Sequence, residues 1–290
     1  MSAFRNIRLK IAYDGTRYSG WQVQPNRVTV QGCVEEAIRK ACGESHRLLC
    51  AGRTDSGVHA LGQVANFKTA APIPPEKWRP ALQAHLPEDI VILESDEVPE
   101  DFHATFWAAS KRYRYVIHNS IVSDPFLRRY SWRISQDLNV DAMQEAAQCL
   151  IGTHDFRSFE SHWPNKATSV RTVMDLTIQR RHKGELFTPR SLNAQDTTPP
   201  DQAGELICLE IEADGFLYNM VRTITGTLTY VGRGTWTKKD VERVLKAQDR
   251  SIAGGTAPAC GLFMVEVKYL PFDARSGRPG LTEEAMSDFD

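Results

Sequence analysis

The sequence predicts an α+β fold of two similar domains, each with a mainly antiparallel sheet flanked by helices. Strand-like and helix-like patterns interleave without the regular alternation of a parallel α/β sheet. The two halves also resemble each other, because LKIAYDG at 9–15 and LEIEADG at 209–215 each form a strand pattern ending in Asp-Gly ahead of a helix pattern. At about 150 residues per domain, the 290 residues fit two domains. We expect these at 1–110 and 111–272, with sheets that join edge to edge.

The elements of the first half follow from local periodicity. Apolar residues alternate from Ile7 to Ile11 and predict a strand that ends at Asp14-Gly15. Helical spacing from Val30 to Ala41 predicts a helix, and Gly43 is suited to end it. The remaining patterns predict strands at 48–50 and 63–67 around a Gly-rich loop at 52–57, a helix over 78–85 and a short strand at 90–93.

The second half begins with an alternating strand. Tyr113, Tyr115 and Ile117 share one face, and the other face is mixed and basic, which predicts one buried and one exposed face. The patterns after it predict a helix over 140–150 capped by Asn139, a strand at 206–211, a helix over 220–231, a capping box of Thr237 with Asp240, and a strand at 262–267. Residues 182–204 have the composition of a mobile polar insertion, and 273–290 that of an acidic, fraying tail.

Composition excludes several classes of protein. Hydrophobic residues make up 41% and charged residues 24%, which is ordinary for a globular protein and excludes disorder, collagen and fibrous coiled coils. The six cysteines show no zinc-finger spacing, and we expect reduced thiols in a cytoplasmic protein. The N-terminus lacks a signal-peptide pattern, and no apolar run reaches the roughly 20 residues that a membrane helix needs.

Charge is segregated along the chain although the net charge is only −1. Residues 84–103 contain seven acidic residues and no Lys or Arg, whereas 104–135 contain six Lys or Arg and one Asp. Runs of charge are usually solvated faces, but a basic strip is also what an RNA backbone binds. The near-zero sum therefore does not exclude a nucleic-acid partner.

The densest chemical motif is AGRTDSGVHA at 51–60. It is not a phosphate loop, because Val58 stands where the lysine is required. Asp55 lies on a tight turn, where its carboxylate either accepts backbone N–H bonds in an Asx-turn or acts as a nucleophile or base held ionised by an arginine. For His59 and His154 there is no partner pattern for a metal or a triad, so we expect ordinary core or surface histidines.

Five ordered motifs resemble the bacterial TruA-type tRNA pseudouridine synthases over residues 7–270. They are YDGTRYSGWQ at 13–22, AGRTDSGVHALGQ at 51–63, KRYRY at 111–115, HDFRSF at 154–159 and FLYNMVR at 216–222. The resemblance implies the pseudouridine synthase fold, with an active-site cleft between the two domains. It also implies isomerisation of uridine to pseudouridine at positions 38, 39 and 40 of the tRNA anticodon stem-loop.

The resemblance further implies the roles of individual residues. Asp55 matches the catalytic aspartate, Tyr113 the aromatic that stacks on the target base, and Arg222 the arginine that pairs with the aspartate, while Arg53 lies within the signature loop. A homodimer that needs no cofactor and no metal is implied too. The longer segment 182–204 and the acidic tail depart from the family pattern.

Two other functions remain open at this point. A non-catalytic RNA-binding module would use the basic strip and Tyr113 only to hold tRNA. A hydrolase using Asp55 with His59 has less support, because no orienting residue or metal set accompanies the pair.

Overall fold

The computed structural model describes residues 4–161, 168–183 and 205–269. This part of the chain forms an α+β fold around a ten-stranded, mostly antiparallel sheet, which confirms the predicted fold class. The strands are β1 (Arg5–Tyr13), β2 (Leu49–Cys50), β3 (His59–Thr69), β4 (Ile90–Val98), β5 (Ala108–Asn119), β6 (Trp132–Ile134), β7 (Gly152–Asp155), β8 (Val170–Arg181), β9 (Leu206–Ala213) and β10 (Leu262–Tyr269). The helices are α1 (Val30–Cys42), α2 (Trp78–Gln83), α3 (Val140–Ala147), α4 (Met220–Gly232) and α5 (Lys238–Ala247).

Helix boundaries follow from the capping residues. The Thr29 hydroxyl accepts a hydrogen bond from the Gly32 amide at the start of α1, and Gly43, with φ of 79°, ends it in the left-handed region. Asn139 caps α3 as predicted, and the predicted capping box of Thr237 and Asp240 opens α5. Local sequence therefore sets where these helices begin and end.

The sheet runs through both halves of the chain in the order β4-β1-β3-β10-β5-β9-β8-β7, with β2 on β3 and β6 on β5. The last strand, β10, makes the join: it pairs with β5 antiparallel and with β3 parallel. The parallel pairing is short and places Phe263 opposite His59 and Met264 opposite Ala60. The two predicted sheets are thus one continuous sheet in the described residues, and the domain boundary near residue 110 stays a prediction.

Three strands, β6, β7 and β8, have no counterpart in the sequence predictions. In β8 the buried residues Val173, Leu176 and Ile178 break the period of two, because the register with β9 shifts between Val173 and Asp175. A β-bulge of this kind hides a strand from a search for strict alternation. Other strands extend beyond their predicted ends, β3 starting at His59 and β4 reaching Val98, and α2 ends at Gln83.

The predicted exposed face of the strand around Tyr113 is wrong. Arg114 is fully buried, and its guanidinium lies 2.8 Å from the Glu210 carboxylate on the neighbouring β9. Arg112 is nearly buried too and pairs with Asp175 on β8 and with Glu212 on β9. These cations neutralise buried carboxylates inside the protein, so they do not form part of a basic surface. Of the basic strip, the exposed arginines are Arg128, Arg129 and Arg133.

The acidic segment 84–103 is explained by sheet register. Most of it lies in and around β4, an edge strand beside β1. Arg8 stands opposite Asp96 and Lys10 opposite Glu94, with N···O distances of 2.6 and 3.2 Å. The acidic run therefore neutralises the cations of β1 across the strands.

No helix in the described residues is long and apolar enough to span a membrane. Apart from His182 and Lys183, the predicted insertion and the tail lie outside the described residues.

Candidate active site

The loop between β2 and β3 holds Asp55 in a tight turn. The Val58 amide donates to the Asp55 carbonyl at 3.1 Å, and Gly57 adopts a φ of 78°. The loop is tied down at Thr54, directly before Asp55. The Thr54 hydroxyl lies 2.7 Å from the hydroxyl of Tyr13, and the Thr54 carbonyl accepts from the Trp21 amide at 3.0 Å. The position of Asp55 is thus set by hydrogen bonds from the 13–22 segment.

Two glycines of the 13–22 segment allow this close packing. A Cβ at Gly20 would lie 2.6 Å from the Thr54 carbonyl oxygen, and one at Gly15 would lie 1.9 Å from that of Val58. Both distances are shorter than any van der Waals contact, so only glycine fits. The first two sequence motifs are therefore two sides of one packed unit.

Arg222, at the start of α4, approaches Asp55 from the other half of the chain. Its Nη1 lies 3.5 Å from Asp55 Oδ2. The guanidinium is held from behind, since Nε donates to the Ala257 carbonyl and Nη1 to Asn219 Oδ1, each at 2.7 Å. Asn219 itself adopts a left-handed conformation with φ of 62° at the N-cap of α4. A backbone carbonyl and the side-chain oxygen of the N-cap residue thus aim the arginine at the aspartate.

The electrostatics of Asp55 combine two opposing effects. Burial raises the pKa of its carboxyl above the ordinary value, and the charge and hydrogen bond of Arg222 act in the lowering direction. Burial is the larger effect, so the arginine limits the rise and does not reverse it. The carboxylate consequently stays more basic than an exposed aspartate, which suits a nucleophile or a base.

The Asx-turn interpretation of Asp55 is wrong. Within the described residues, its carboxylate accepts a hydrogen bond from Arg222 and none from a backbone amide. Local turn geometry therefore does not account for an aspartate at this position. Its side chain is 29% exposed, so solvent or a substrate reaches the carboxylate.

Tyr113 lies in the same neighbourhood on β5. It is buried, and its ring packs edge-on against Phe216 with centroids 5.0 Å apart. The pKa of its phenol is raised well above the ordinary value, first by burial and then by the nearby charges of Tyr13 and Asp55. The structure thus brings together three of the four residues named from the sequence, namely Asp55, Tyr113 and Arg222.

Arg53 is exposed and does not share the burial of the other three. Its charge reaches Cys50, whose thiol has a pKa raised to about 11 by burial, with Lys111 and Arg53 acting in the lowering direction. Sequence reasoning missed Asn219, Phe216 and Lys111, all of which border the site. A signal for all three was present, because Phe216 and Asn219 belong to the FLYNMVR motif and Lys111 begins the KRYRY motif.

His59 is a core histidine, as predicted. It is 1% exposed and stacks on Phe263 with centroids 4.7 Å apart. Its Nδ1 accepts from the Gly15 amide, and its Nε2 donates to the Arg129 carbonyl. Burial lowers the pKa of the imidazole, which favours this neutral form. Because both ring nitrogens are engaged elsewhere, the geometry gives no support to a hydrolase using Asp55 with His59.

One group in the described residues has the donors of a metal site, namely Cys42, Glu44 and His46. Its carboxylate and imidazole already share a hydrogen bond of 2.8 Å, and the Thr69 hydroxyl donates to the same carboxylate. Thr69 ends β3 and His59 begins it, so the group lies about 30 Å along the strand from the Asp55 loop. It has no part in the candidate active site.

Comparison with known proteins identifies the family of the chain. Residues 10–106 and 146–270 match a family model described as tRNA pseudouridine synthase. The chain is 46% identical over 265 residues to tRNA pseudouridine synthase A of Thermoanaerobacter sp. (strain X514), covering 91% of this chain and 100% of the relative. The enzymes of that name from Acetivibrio thermocellus and Syntrophotalea carbinolica are 45% and 40% identical, covering 91% and 93% of this chain and 100% and 99% of the relatives.

These matches define the class of protein as an isomerase, an enzyme that rearranges its substrate without adding an external group. They extend over both halves of the chain and include the segments that carry Asp55 and Arg222. The chain belongs to the tRNA pseudouridine synthase family.

Proposed function

We propose that this enzyme converts uridine to pseudouridine at positions 38, 39 and 40 of the tRNA anticodon stem-loop, with Asp55 as its catalytic residue. The observation that carries the proposal is the approach of Arg222 to Asp55 from the other half of the chain, at 3.5 Å. A carboxylate and an arginine brought together from positions 167 residues apart require the whole fold to place them. The relatives named tRNA pseudouridine synthase A support the same reaction.

The chemistry requires that the uracil detach, rotate and remain bound. The C1′–N1 glycosidic bond breaks, C1′ bonds to C5, the proton on C5 is lost to solvent and N1 takes one up. Ionised Asp55 either attacks the nucleoside or removes a proton from the sugar, and Arg222 keeps the carboxylate oriented in both routes. No external group enters, so the reaction balances without a cofactor.

Tyr113 is proposed to hold the target base. Extruding a base from an RNA stack costs a few kcal/mol, and stacking on an aromatic ring recovers part of that cost. Phe216 holds the Tyr113 ring edge-on, which leaves the ring little freedom to rotate. Arg53 lies two residues before Asp55 and is exposed, which supports a proposed contact of this residue with the RNA backbone.

The test is tritium release from tRNA containing 5-tritiated uridine, followed by mapping of the modified positions. We expect release by the unaltered enzyme and a loss of at least about a thousandfold in Asp55→Asn, because the mutant lacks the ionised carboxylate. Asp101→Asn, an exposed aspartate, is the matched control and should behave as wild type. Appreciable turnover by Asp55→Asn would exclude this residue as the catalyst.

The second candidate, a non-catalytic RNA-binding module, is distinguished by the same assay. It predicts binding of tRNA with no tritium release. Exposed Arg128, Arg129 and Arg133 would suit such a module, since phosphate contacts need exposed cations. Family membership and the Asp55 geometry favour the enzyme.

We infer that the enzyme acts in the cytoplasm as a homodimer. The six cysteines are free thiols, which agrees with a reducing compartment. Three large apolar side chains of one segment are 74–86% exposed, namely Ile121, Val122 and Phe126, and an assembly would remove them from water. Sedimentation should therefore show a dimer for the wild type and a shift towards monomer for Phe126→Ser.

A further inference from the structure

Lys111 lies at the edge of the candidate active site. It precedes Tyr113 by two residues on β5, so the two side chains share one face of the sheet. Its Nζ would lie 3.5 Å from a Cβ at Gly52, three residues before Asp55. The ammonium group is therefore packed over the backbone of the catalytic loop.

Arg171, the second residue of β8, lies close to the same edge of the candidate active site. Its Nε and Cδ would lie 3.4 Å from a Cβ at Gly215. Gly215 follows the end of β9, where Ala213 pairs with Lys111, and precedes Phe216, which contacts Tyr113. The two cations thus flank one short turn beside the tyrosine.

Neither cation has a carboxylate partner within the described residues. No hydrogen bond or ion pair joins Lys111 to any of them, and the Arg171 guanidinium donates to the backbone carbonyls of Thr168 and Val170. The neighbouring strand residue Arg112 is different, because it pairs with Asp175 and Glu212. Neutralisation inside the protein, which explains Arg112, does not explain Lys111 and Arg171.

The electrostatics of the pair favour an anion between them. Burial lowers the pKa of Lys111 and of Arg171, and the charge of Arg171 lowers the pKa of Lys111 further. Asp214 acts in the opposite direction on both, and Glu160 does so on Arg171. Each of these carboxylates already accepts another hydrogen bond, Asp214 from the Thr172 amide and Glu160 from the Ser169 hydroxyl. Two partly desolvated cations that repel each other gain stability when a negative group binds both.

We propose that Lys111 and Arg171 form a phosphodiester subsite that binds the RNA backbone next to the extruded uridine. The inference rests on the proposed function, because the position beside Asp55 and Tyr113 is what assigns these phosphates to the target nucleotide. A lysine supplies a point charge and an arginine a planar fork, and both bind phosphate. By holding the backbone in its rotated conformation, the subsite positions the base against Tyr113.

The experiment uses anticodon stem-loop RNA in which one phosphate beside the target uridine is an uncharged methylphosphonate. With wild-type enzyme, the neutral linkage should weaken binding about tenfold, as expected for loss of one charge-assisted contact. Lys111→Met should weaken binding of the unmodified RNA by a similar factor. If lysine and phosphate contact each other, Lys111→Met should bind the methylphosphonate RNA no more weakly than the unmodified RNA.

Controls separate this role from a structural one. Lys10→Met removes a lysine of β1 that pairs with Glu94 on the neighbouring edge strand β4. This variant should show the full loss of affinity for the methylphosphonate RNA. Lys111→Arg retains the charge and should preserve both affinity and the salt dependence, whereas Lys111→Met and Arg171→Met should each lower the slope of log affinity against log salt by about one. If the losses of affinity caused by Lys111→Met and by the methylphosphonate multiply when the two are combined, they are independent, and this result would overturn the subsite.

Failure of the proposed function would look different. If the wild type releases no tritium from tRNA but the coupling between Lys111 and the phosphate is present, the subsite holds and the reaction is wrong. If tritium is released and the coupling is absent, the reaction holds and the subsite is wrong.

Discussion

At the scale of single residues, the site depends on how Asp55 stays ionised. Burial raises the pKa of this carboxyl, and Arg222 opposes the rise from 3.5 Å away. The backbone carbonyl of Ala257 and the side chain of Asn219 hold the arginine in place, so its position does not depend on the aspartate. We therefore propose Arg222 as a positioning residue, whose loss should be visible in the pH dependence of the reaction.

We predict that Arg222→Gln moves the acidic limb of the pH–rate profile to higher pH. In the proposed mechanism activity needs the ionised carboxylate, so it should fall as pH drops through the pKa of Asp55. Without the arginine only the raising effect of burial remains, and that pKa rises further. Single-turnover rates between pH 4 and 9 measure the limb. Arg250→Gln serves as the control, because Arg250 contacts the Thr256 hydroxyl and pairs with no carboxylate of the described residues. An unshifted acidic limb would contradict the electrostatic role.

At the scale of elements, the Asp55 loop is shaped by the 13–22 segment packed against it. Gly20 combines a φ of 85° with the 2.6 Å approach to the Thr54 carbonyl, and the segment also supplies Tyr13 and Trp21 as hydrogen-bonding partners of Thr54. A side chain at Gly20 would push the loop away and displace Asp55 from Arg222.

We predict that Gly20→Ala lowers kcat by about a hundredfold and also lowers the thermal midpoint, because misplacing a catalytic group by about 1 Å costs that much. Gly43→Ala is the matched control. Gly43 has a similar φ of 79° but nothing within 4 Å of its Cβ position, so its replacement costs only the backbone strain, about 1 kcal/mol, without loss of kcat. Equal kcat values for the two variants would contradict the packing argument.

The ion pairs between β5 and β9 are a second element-scale feature. Arg114 is fully buried and lies 2.8 Å from Glu210, whose side chain is 3% exposed. We predict that Arg114→Met lowers the free energy of unfolding by about 3 kcal/mol, because a buried carboxylate loses its main partner. Urea denaturation measures the loss. Arg39→Met, which breaks an exposed pair with Glu36, should cost less than about 1 kcal/mol. If adding Glu210→Met to Arg114→Met restores none of the lost stability, the buried charge is not the cause.

These elements also show which parts of the fold are readable from sequence. The capped helices α1, α3 and α5 were predictable because their caps are local signals. Strand β8 was not, because its bulge breaks the alternation of buried side chains. The exposed face expected for β5 was wrong for a related reason: the carboxylates that neutralise it lie on β9, about a hundred residues away, and only sheet register brings them together.

The candidate site likewise contains residues that could be predicted from the sequence and a residue that could not. Asp55, Tyr113 and Arg222 could be named because each lies in a motif that resembles the family. Lys111 lies in one of those motifs as well, but on an alternating strand a lysine is usually read as solvent-exposed. Its place over Gly52 depends on the packing of β5 against the loop from the first half, which no local pattern contains.

At the scale of the whole molecule, the site exists only because the two halves are joined. Asp55 comes from the first half and Arg222 from the second, and the shared sheet continues across them through the short parallel pairing of β3 with β10. At this junction Gly62 of β3 faces the backbone of β10, and a Cβ there would lie 2.6 Å from the Val265 carbonyl oxygen. The junction therefore tolerates no side chain at this position without moving one strand away from the other.

We predict that Gly62→Ala separates β3 from β10 and reduces activity more than it reduces stability. The main buried core is continuous across both halves and loses no side chain in this variant, so the thermal midpoint should fall only moderately. The distance from Asp55 to Arg222 changes directly, and kcat should therefore fall at least tenfold. Hydrogen exchange should rise first in the amides of His59–Ala60 and Phe263–Met264. Gly255→Ala, with nothing within 4 Å of its Cβ position, is the matched control and should leave both quantities unchanged. Full activity in Gly62→Ala would mean that the alignment of Asp55 with Arg222 does not depend on this junction.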